Sequence, residues 1–140
     1  MHALIVFTHP DPHSLTHAVA TQLADGVRHS ASAHSAELAD LAAEGFDPTY
    51  SQADVALFQK RGPVPADVAA EHARLERADA LVLVYPIYWW SFPAQLKGWI
   101  DRVFTGGWAY EEAENGKVVK KLQRLPVHLV AIGGADAGTF

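Results

Sequence analysis

Ala80-Leu-Val-Leu-Val-Tyr85 is apolar at every position, and Pro86 closes it. A continuous apolar run this short, rich in branched residues, reads as a strand buried on both faces. Such strands belong to parallel sheets covered by helices. Pro93 opens a helical stretch with Leu96, Ile100, Val103 and Phe104 on its apolar side, and Gly106-Gly107 stop it. The same grammar repeats on either side. Ala3-Leu-Ile-Val-Phe7 is a second buried strand, broken by His9-Pro-Asp-Pro12. Ser14 then stands at an N-cap position. Leu15, Val19, Leu23 and Val27 recur at helical spacing and predict a helix from about Leu15 to His29. Ala33 to Leu38 is a weaker strand, retained because of the alternation around it. Asp40 to Pro48 is a connection, punctuated by Gly45 and Pro48. Pro63 and Pro65 precede a helix over Asp67 to Arg77, with Val68, His72 and Leu75 on one face. Val127-His-Leu-Val-Ala-Ile132 is the fourth strand, ended by Gly133-Gly134. The alternation predicts one α/β domain over residues 1–140, built on a doubly wound parallel sheet.

Composition narrows the function. Of 140 residues, 49 % are hydrophobic and 19 % charged, which favours a packed core over a disordered chain. The formal charge is −5, and the densest basic group is Lys117, Lys120, Lys121 and Arg124. A nucleic-acid footprint needs a denser stripe, so no nucleic-acid partner is expected. There are no cysteines, which excludes disulfides, thiolate metal sites and cysteine nucleophiles. His9, His13 and His17 have the i, i+4 spacing of a shared ion. No carboxylate accompanies them at a ligand spacing, and no metal is expected. His72 and His128 read as ordinary helix-face and strand residues. The N-terminal apolar run is too early and too brief for a signal peptide, and no run approaches membrane-spanning length. A cytoplasmic protein is the expectation.

In an open parallel sheet the ligand lies beyond the carboxyl ends of the strands. That rule selects three loops: His9 to Ser14, Pro86 to Phe92, and Gly133 to Phe140. The first leads into a helix N-terminus, whose unpaired N–H groups suit a phosphate, with His9, Ser14 and Thr16 adding donors. On the plainer reading Ser14 is a helix cap and nothing more. The loop is neither a Gly-x-Gly-x-x-Gly nor a P-loop, which disfavours an ordinary dinucleotide or ATP site. In the second loop, Ile87-Tyr-Trp-Trp-Ser-Phe92 places four aromatics in six positions at the sheet's mouth. A flat polyaromatic ligand would bury those rings, and so would a dimer interface or a local cluster. In the third loop Gly133-Gly134 let backbone approach a ligand closely.

The stretch Tyr85-Pro-Ile-Tyr-Trp-Trp-Ser-Phe-Pro-Ala-Gln-Leu-Lys-Gly-Trp-Ile-Asp-Arg-Val-Phe104, followed by Gly107-Trp-Ala-Tyr110, resembles the NAD(P)H:quinone oxidoreductase family. Bacterial modulator-of-drug-activity proteins and ancillary subunits of potassium-efflux systems look similar. Thr8-His-Pro-Asp-Pro-His-Ser-Leu-Thr16 is similar to the family's phosphate loop. Asp40 to Pro48 is similar to its stretch after the second strand, and Gly133-Gly134 fall where its flavin-contacting glycines lie.

The resemblance implies a flavodoxin-like fold and a tightly bound FAD or FMN, with His9, Ser14, Leu15 and Thr16 near the phosphates. Pro86, Ile87, Tyr88, Trp89 and Trp90 would line the isoalloxazine, and Ala131, Ile132, Gly133 and Gly134 its polar edge. Tyr110 matches a position near the second substrate. A homodimer is implied, each flavin site completed by the partner subunit. The implied activity is ping-pong hydride transfer from NAD(P)H through flavin to a quinone or similar electrophile. The alternatives are a regulatory flavoprotein docking on a membrane transporter and a single-electron flavodoxin. A flavodoxin-like sheet has five strands in the order 2-1-3-4-5, and four are legible here. Family members continue beyond the Gly-Gly loop with further elements, and this chain ends at Phe140. The expectation is a domain lacking its last strand and helices, either truncated or naturally short.

Overall fold

A computed structural model describes residues 1–135 and 138. Its ten elements are β1 (His2–Phe7), α1 (Leu15–Ser30), β2 (Ser35–Asp40), α2 (Gln52–Phe58), α3 (Ala66–Arg77), β3 (Ala80–Pro86), α4 (Ala94–Val103), β4 (Tyr110–Glu112), β5 (Val118–Lys120) and β6 (Val127–Ile132). β2, β1, β3 and β6 pair in that order, all parallel, while β4 and β5 form a separate antiparallel ribbon.

The unbroken apolar runs are explained by cover on both sides of the sheet. Leu4, Val6, Leu81 and Leu83 pack with Leu75 of α3 and Leu96, Trp99 and Val103 of α4. Ile5, Phe7 and Val84 face the other way, onto Ala20 and Ala24 of α1. Each large side chain so buried contributes about 1.5–3 kcal/mol.

α1 begins where the sequence predicts but presents a different face. Its buried residues are Thr16, Ala20 and Ala24, with Val19 and Leu23 only partly covered. Small side chains let the helix lie close on β1 and β3, and Leu15 is left 63 % exposed at its first turn. β2 is displaced by two residues from the predicted Ala33–Leu38. The Ser35 N–H donates to the Met1 carbonyl, and pairing then runs from His2 opposite Ser35 to Phe7 opposite Asp40. α4 ends at Val103, before the glycines expected to stop it. α2 and the β4–β5 ribbon lie in stretches the sequence reading left unassigned.

Two arginines join the helices of the α3–α4 face. Arg102 is 5 % exposed. Its guanidinium donates to both Asp54 oxygens (3.2 and 3.1 Å), to both Asp67 oxygens (2.6 and 3.2 Å) and to the Asp47 carbonyl (2.7 Å). Burial pushes the Asp54 carboxyl up, but hydrogen bonds from Ser51 and Arg102 outweigh it and hold the group below its ordinary range. Arg74 similarly joins Glu37, Glu44 and Glu71, and Glu71 also accepts from the indole of the fully buried Trp99. Gly98 permits the close seat of α4: a Cβ there would stand 2.3 Å from the Pro48 carbonyl oxygen. β6 lies at the edge of the sheet, with Val127 and Leu129 half exposed, as expected of an apolar strand there.

Candidate functional site

Parallel strands end on one side, so the loops after β1, β3 and β6 lie beside one another at the carboxyl edge. Chain order reverses between β1 and β3, which makes that edge the switch point of the sheet.

The loop after β3 has the most unusual backbone. Tyr88 and Ser91 exchange two backbone hydrogen bonds of 3.1 Å each, so Trp89 and Trp90 form the two-residue turn of a miniature hairpin. Their φ angles are +50° and +59°. Left-handed backbone at both positions is the type I′ pattern, which ordinarily takes Asn-Gly. Each non-glycine residue so placed costs roughly 1–2 kcal/mol. The indoles meanwhile stand in solvent, 89 % and 67 % exposed. The turn is rigidly based. Tyr85 and Phe92 pack with ring centroids 4.6 Å apart, and the Ile87 N–H donates to the Ile132 carbonyl at 2.9 Å. A cleft of about 240 Å³ opens between Ile87, Trp90, Phe92 and Ala131, so the second and third predicted segments share one hollow.

The loop after β1 organises itself. Its Asp11 N–H donates to His9 Nδ1, the His13 N–H to Asp11 Oδ1, and the Ser14 N–H to the Asp11 carbonyl. Ser14 caps α1, its Oγ accepting from the His17 N–H. The first-turn N–H groups of Leu15 and Thr16 keep the unpaired state of any helix start. Thr16 is 2 % exposed, beneath the loop rather than at its rim. A cleft of about 260 Å³ lies between His9, Pro10, Pro12, His17 and Asp40.

Gln95, in the first turn of α4, connects the loops after β1 and β2. Its Oε1 accepts from the Thr8 hydroxyl, and its Nε2 donates to the Leu41 and Phe46 carbonyls at 3.0 and 3.1 Å. Gln95, His17 and Asp40 were not among the predicted cofactor residues. The legible signal for Asp40 was its place at the carboxyl end of β2. For His17 it was its place three residues after a capping serine.

Predicted residues in three segments therefore meet along one edge: His9 to Thr16, Pro86 to Trp90, and Ala131 to Gly134. Positions 136, 137, 139 and 140 of the third loop lie outside the described residues. Tyr110 is elsewhere. It lines a separate cleft of about 180 Å³ with Tyr50, Phe58, Phe104 and the Asp54–Arg102 pair. Burial, with nearby Asp54 and Tyr110, pushes the Tyr50 hydroxyl above its ordinary range. Among the described residues no three His, Asp or Glu side chains are grouped to hold a metal ion. No described helix is long and apolar enough to cross a membrane.

Residues 1–140 match the model of the flavodoxin-like fold along their full length. The chain belongs to that flavodoxin-like family. Among its relatives, an uncharacterized NAD(P)H oxidoreductase of Haemophilus influenzae is 35 % identical, over all of this chain and 68 % of its own length. NAD(P)H dehydrogenase (quinone) 1 of Cavia porcellus is 32 % identical over 79 % of this chain. The chain spans 46 % of that protein. The glutathione-regulated potassium-efflux system ancillary protein KefF of an Enterobacter species is 45 % identical, over 51 % of this chain and 38 % of its own. Of solved structures, the NAD(P)H:quinone oxidoreductase from Methanothermobacter marburgensis superposes with a TM-score of 0.88 at 32 % identity, covering 99 % of this chain and 70 % of that one. General stress protein 14 of Treponema denticola, solved in complex with FMN, gives 0.60 at 31 % identity, covering 98 % and 64 %.

Proposed function

We propose that this flavodoxin-like chain, folded as one domain, carries the flavin site of an NAD(P)H:quinone oxidoreductase. The observation that carries the reading is the Trp89–Trp90 turn, strained in backbone and exposed in side chain, at the switch point of a parallel sheet. Backbone strain of this kind clusters at active sites and ligand clamps. A flat ring laid against Ile87, Tyr88 and Trp90 would cover that apolar surface, with Ala131 to Gly134 along its edge. The helix start at Leu15 and Thr16, beside His9 and Ser14, suits the cofactor's phosphate. The named relatives, two of them quinone reductases and one an FMN complex, support the same assignment.

Bound flavin, as FMN or FAD, supplies a hydride acceptor and donor that no side chain here possesses. The chain's own part is to hold one ring face against the aromatic turn and leave the other open. NAD(P)H and then a quinone or similar electrophile would use that open face in turn. Tyr110 faces a different cleft, so its part in substrate binding belongs to the proposal of a homodimer, in which it serves the partner's site. A cytoplasmic setting is part of the same reading.

Flavin binding is the direct test. Protein mixed with FMN or FAD should retain a yellow chromophore through gel filtration, bleach with NADH or NADPH, and recover with menadione. Failure to retain either flavin, in protein shown to be folded, defeats the proposal. The 45 % identity to the KefF protein over half the chain favours one second reading, docking on a membrane transporter. Normal flavin binding without menadione turnover would select it.

A further inference from the structure

Ser14, His17 and Asp40 form an unbroken hydrogen-bonded chain under the loop that follows β1. Asp40 Oδ1 accepts the backbone N–H groups of Ala42 (3.1 Å) and Ala43 (3.2 Å), which fixes the carboxylate. Its Oδ2 lies 2.8 Å from His17 Nε2. A carboxylate only accepts, so Nε2 carries a proton. The ring stands edge-on to Phe7, with centroids 5.1 Å apart and planes at 86°. On its far side Nδ1 is 2.9 Å from Ser14 Oγ. In a neutral imidazole that nitrogen is an acceptor, and the Ser14 hydroxyl gives it its one proton. Ser14 Oγ meanwhile accepts the His17 N–H at 3.3 Å. In this arrangement Ser14 has no proton left for an anion at the helix start.

We propose that His17 and Asp40 are positioning residues that set the direction of the Ser14 hydroxyl, and with it the affinity of the loop for a phosphate. With His17 neutral the hydroxyl proton points inward, to the ring. With His17 protonated, Nδ1 becomes a donor, Ser14 Oγ accepts from it, and the hydroxyl proton turns outward towards the anion. By linkage, a bound phosphate favours the second state. The inference rests on the reading that this loop holds the phosphate of a flavin. The titratable groups that line clefts with the ring are Asp40 from β2 and His9 and His13 from the loop itself, while the Asp11 carboxylate accepts from the His13 N–H. Glu44, in the connection after β2, is held by Arg74.

Asp40→Asn separates this role from a merely structural one, because the two predict opposite signs. The amide oxygen can keep the Ala42 and Ala43 N–H groups while its NH₂ donates to His17 Nε2. That moves the ring proton to Nδ1, which donates to Ser14 and frees the hydroxyl. At pH 8 this variant should bind FMN about tenfold more tightly than wild type, the order of one hydrogen bond to a charged group. Adding Ser14→Ala should abolish the gain. Nitrogen NMR of apo-protein should show His17 with its proton on Nε2 in wild type and on Nδ1 in D40N. Equal or weaker FMN binding by folded D40N, or an Nδ1-protonated neutral ring in wild type, overturns the proposal. Should D40N fail to fold, His17→Phe takes its place: it removes the inward acceptor, so the Ser14 hydroxyl is free for the anion and FMN should bind more tightly than to wild type at pH 8. Equal or weaker binding by folded H17F overturns the proposal. Wild type that binds no FMN defeats the phosphate reading itself, while the tautomer in apo-protein still decides the relay.

Discussion

Arg102 and the Trp89–Trp90 pair belong to one strand-loop-helix unit, and each is where the other type of residue would ordinarily be. Charged side chains are seldom buried and tryptophans seldom stand free. At the carboxyl end of α4 the buried guanidinium has partners on Asp47, Asp54 and Asp67 for its donors. Before its amino end, two indoles on left-handed backbone stay largely uncovered by the described residues. The buried charge is compensated within the molecule; the exposed aromatics are not. The first arrangement serves the fold; on the proposed reading, the second is the surface offered to the flavin.

The strongest way to break that contrast is Arg102→Ala. It leaves Asp54 buried with no cation, a loss that typically costs about 3–5 kcal/mol. Urea denaturation should show a fall of that size. FMN affinity, measured on the fraction that stays folded, should not change. A loss under about 1 kcal/mol, the range of exposed ion pairs, would show that this face is no more specialised than an ordinary surface.

The converse change sharpens it. Replacing Trp89 by Asn and Trp90 by Gly gives the turn the residues that its type I′ backbone favours. Relief of left-handed strain at two exposed positions should raise apo-protein stability by about 1–2 kcal/mol. FMN affinity should fall at least tenfold, since the aromatic surface has gone. A variant both less stable and equally able to bind flavin would mean that the turn serves the fold after all.

Legibility in the sequence followed the range of the interactions. β1 and β3 were plain because burial on both faces demands unbroken apolar runs; β6, an edge strand interrupted by His128, was legible from its branched residues and the Gly133-Gly134 pair that follows it. The three loops of the site followed from strand order alone. α1 was found but turned, because its packing face is set by how closely Ala20 and Ala24 approach the sheet and not by where its largest side chains recur. α2 carried a legible capping box, Ser51 with Asp54, but seven residues are too few to show helical period. The ribbon carried Asn115-Gly116 at its turn, with Gly116 at φ +74°. Strands of three residues give no alternation to read beside it. The strain at Trp89 and Trp90 was hidden, because the pairing of Tyr88 with Ser91 imposes it. The Ser14–His17–Asp40 chain was hidden too, since β2 must lie beside β1 before Asp40 can meet His17.

The smallest effect expected is a pH dependence on the buried side of the contrast. His72 donates from Nε2 to the Val103 carbonyl at 2.7 Å, and its ring lies flat on Trp108, with centroids 3.8 Å apart and planes 9° from parallel. Burial pushes this imidazole below its ordinary value of 6.5, against the opposing pull of the Val103 carbonyl, Glu76 and Glu71. Below about pH 6.5 the unfolded chain takes up a proton that the folded chain still refuses. Stability therefore falls with pH in that window, by at most about 1.4 kcal/mol per pH unit for a single proton. The fall levels off once the folded ring protonates too. His72→Gln keeps an N–H donor for Val103 and removes the titration. Urea denaturation at pH 7.5, 6.5 and 5.5 should show wild type losing more stability than H72Q across the window. The same difference should persist when Trp89 and Trp90 are replaced, because the titrating group lies between α3 and the carboxyl end of α4, away from the turn. Parallel pH profiles for wild type and H72Q would mean that the folded ring accepts a proton as readily as the unfolded one, and that this end of α4 is less closed to water than its burial implies.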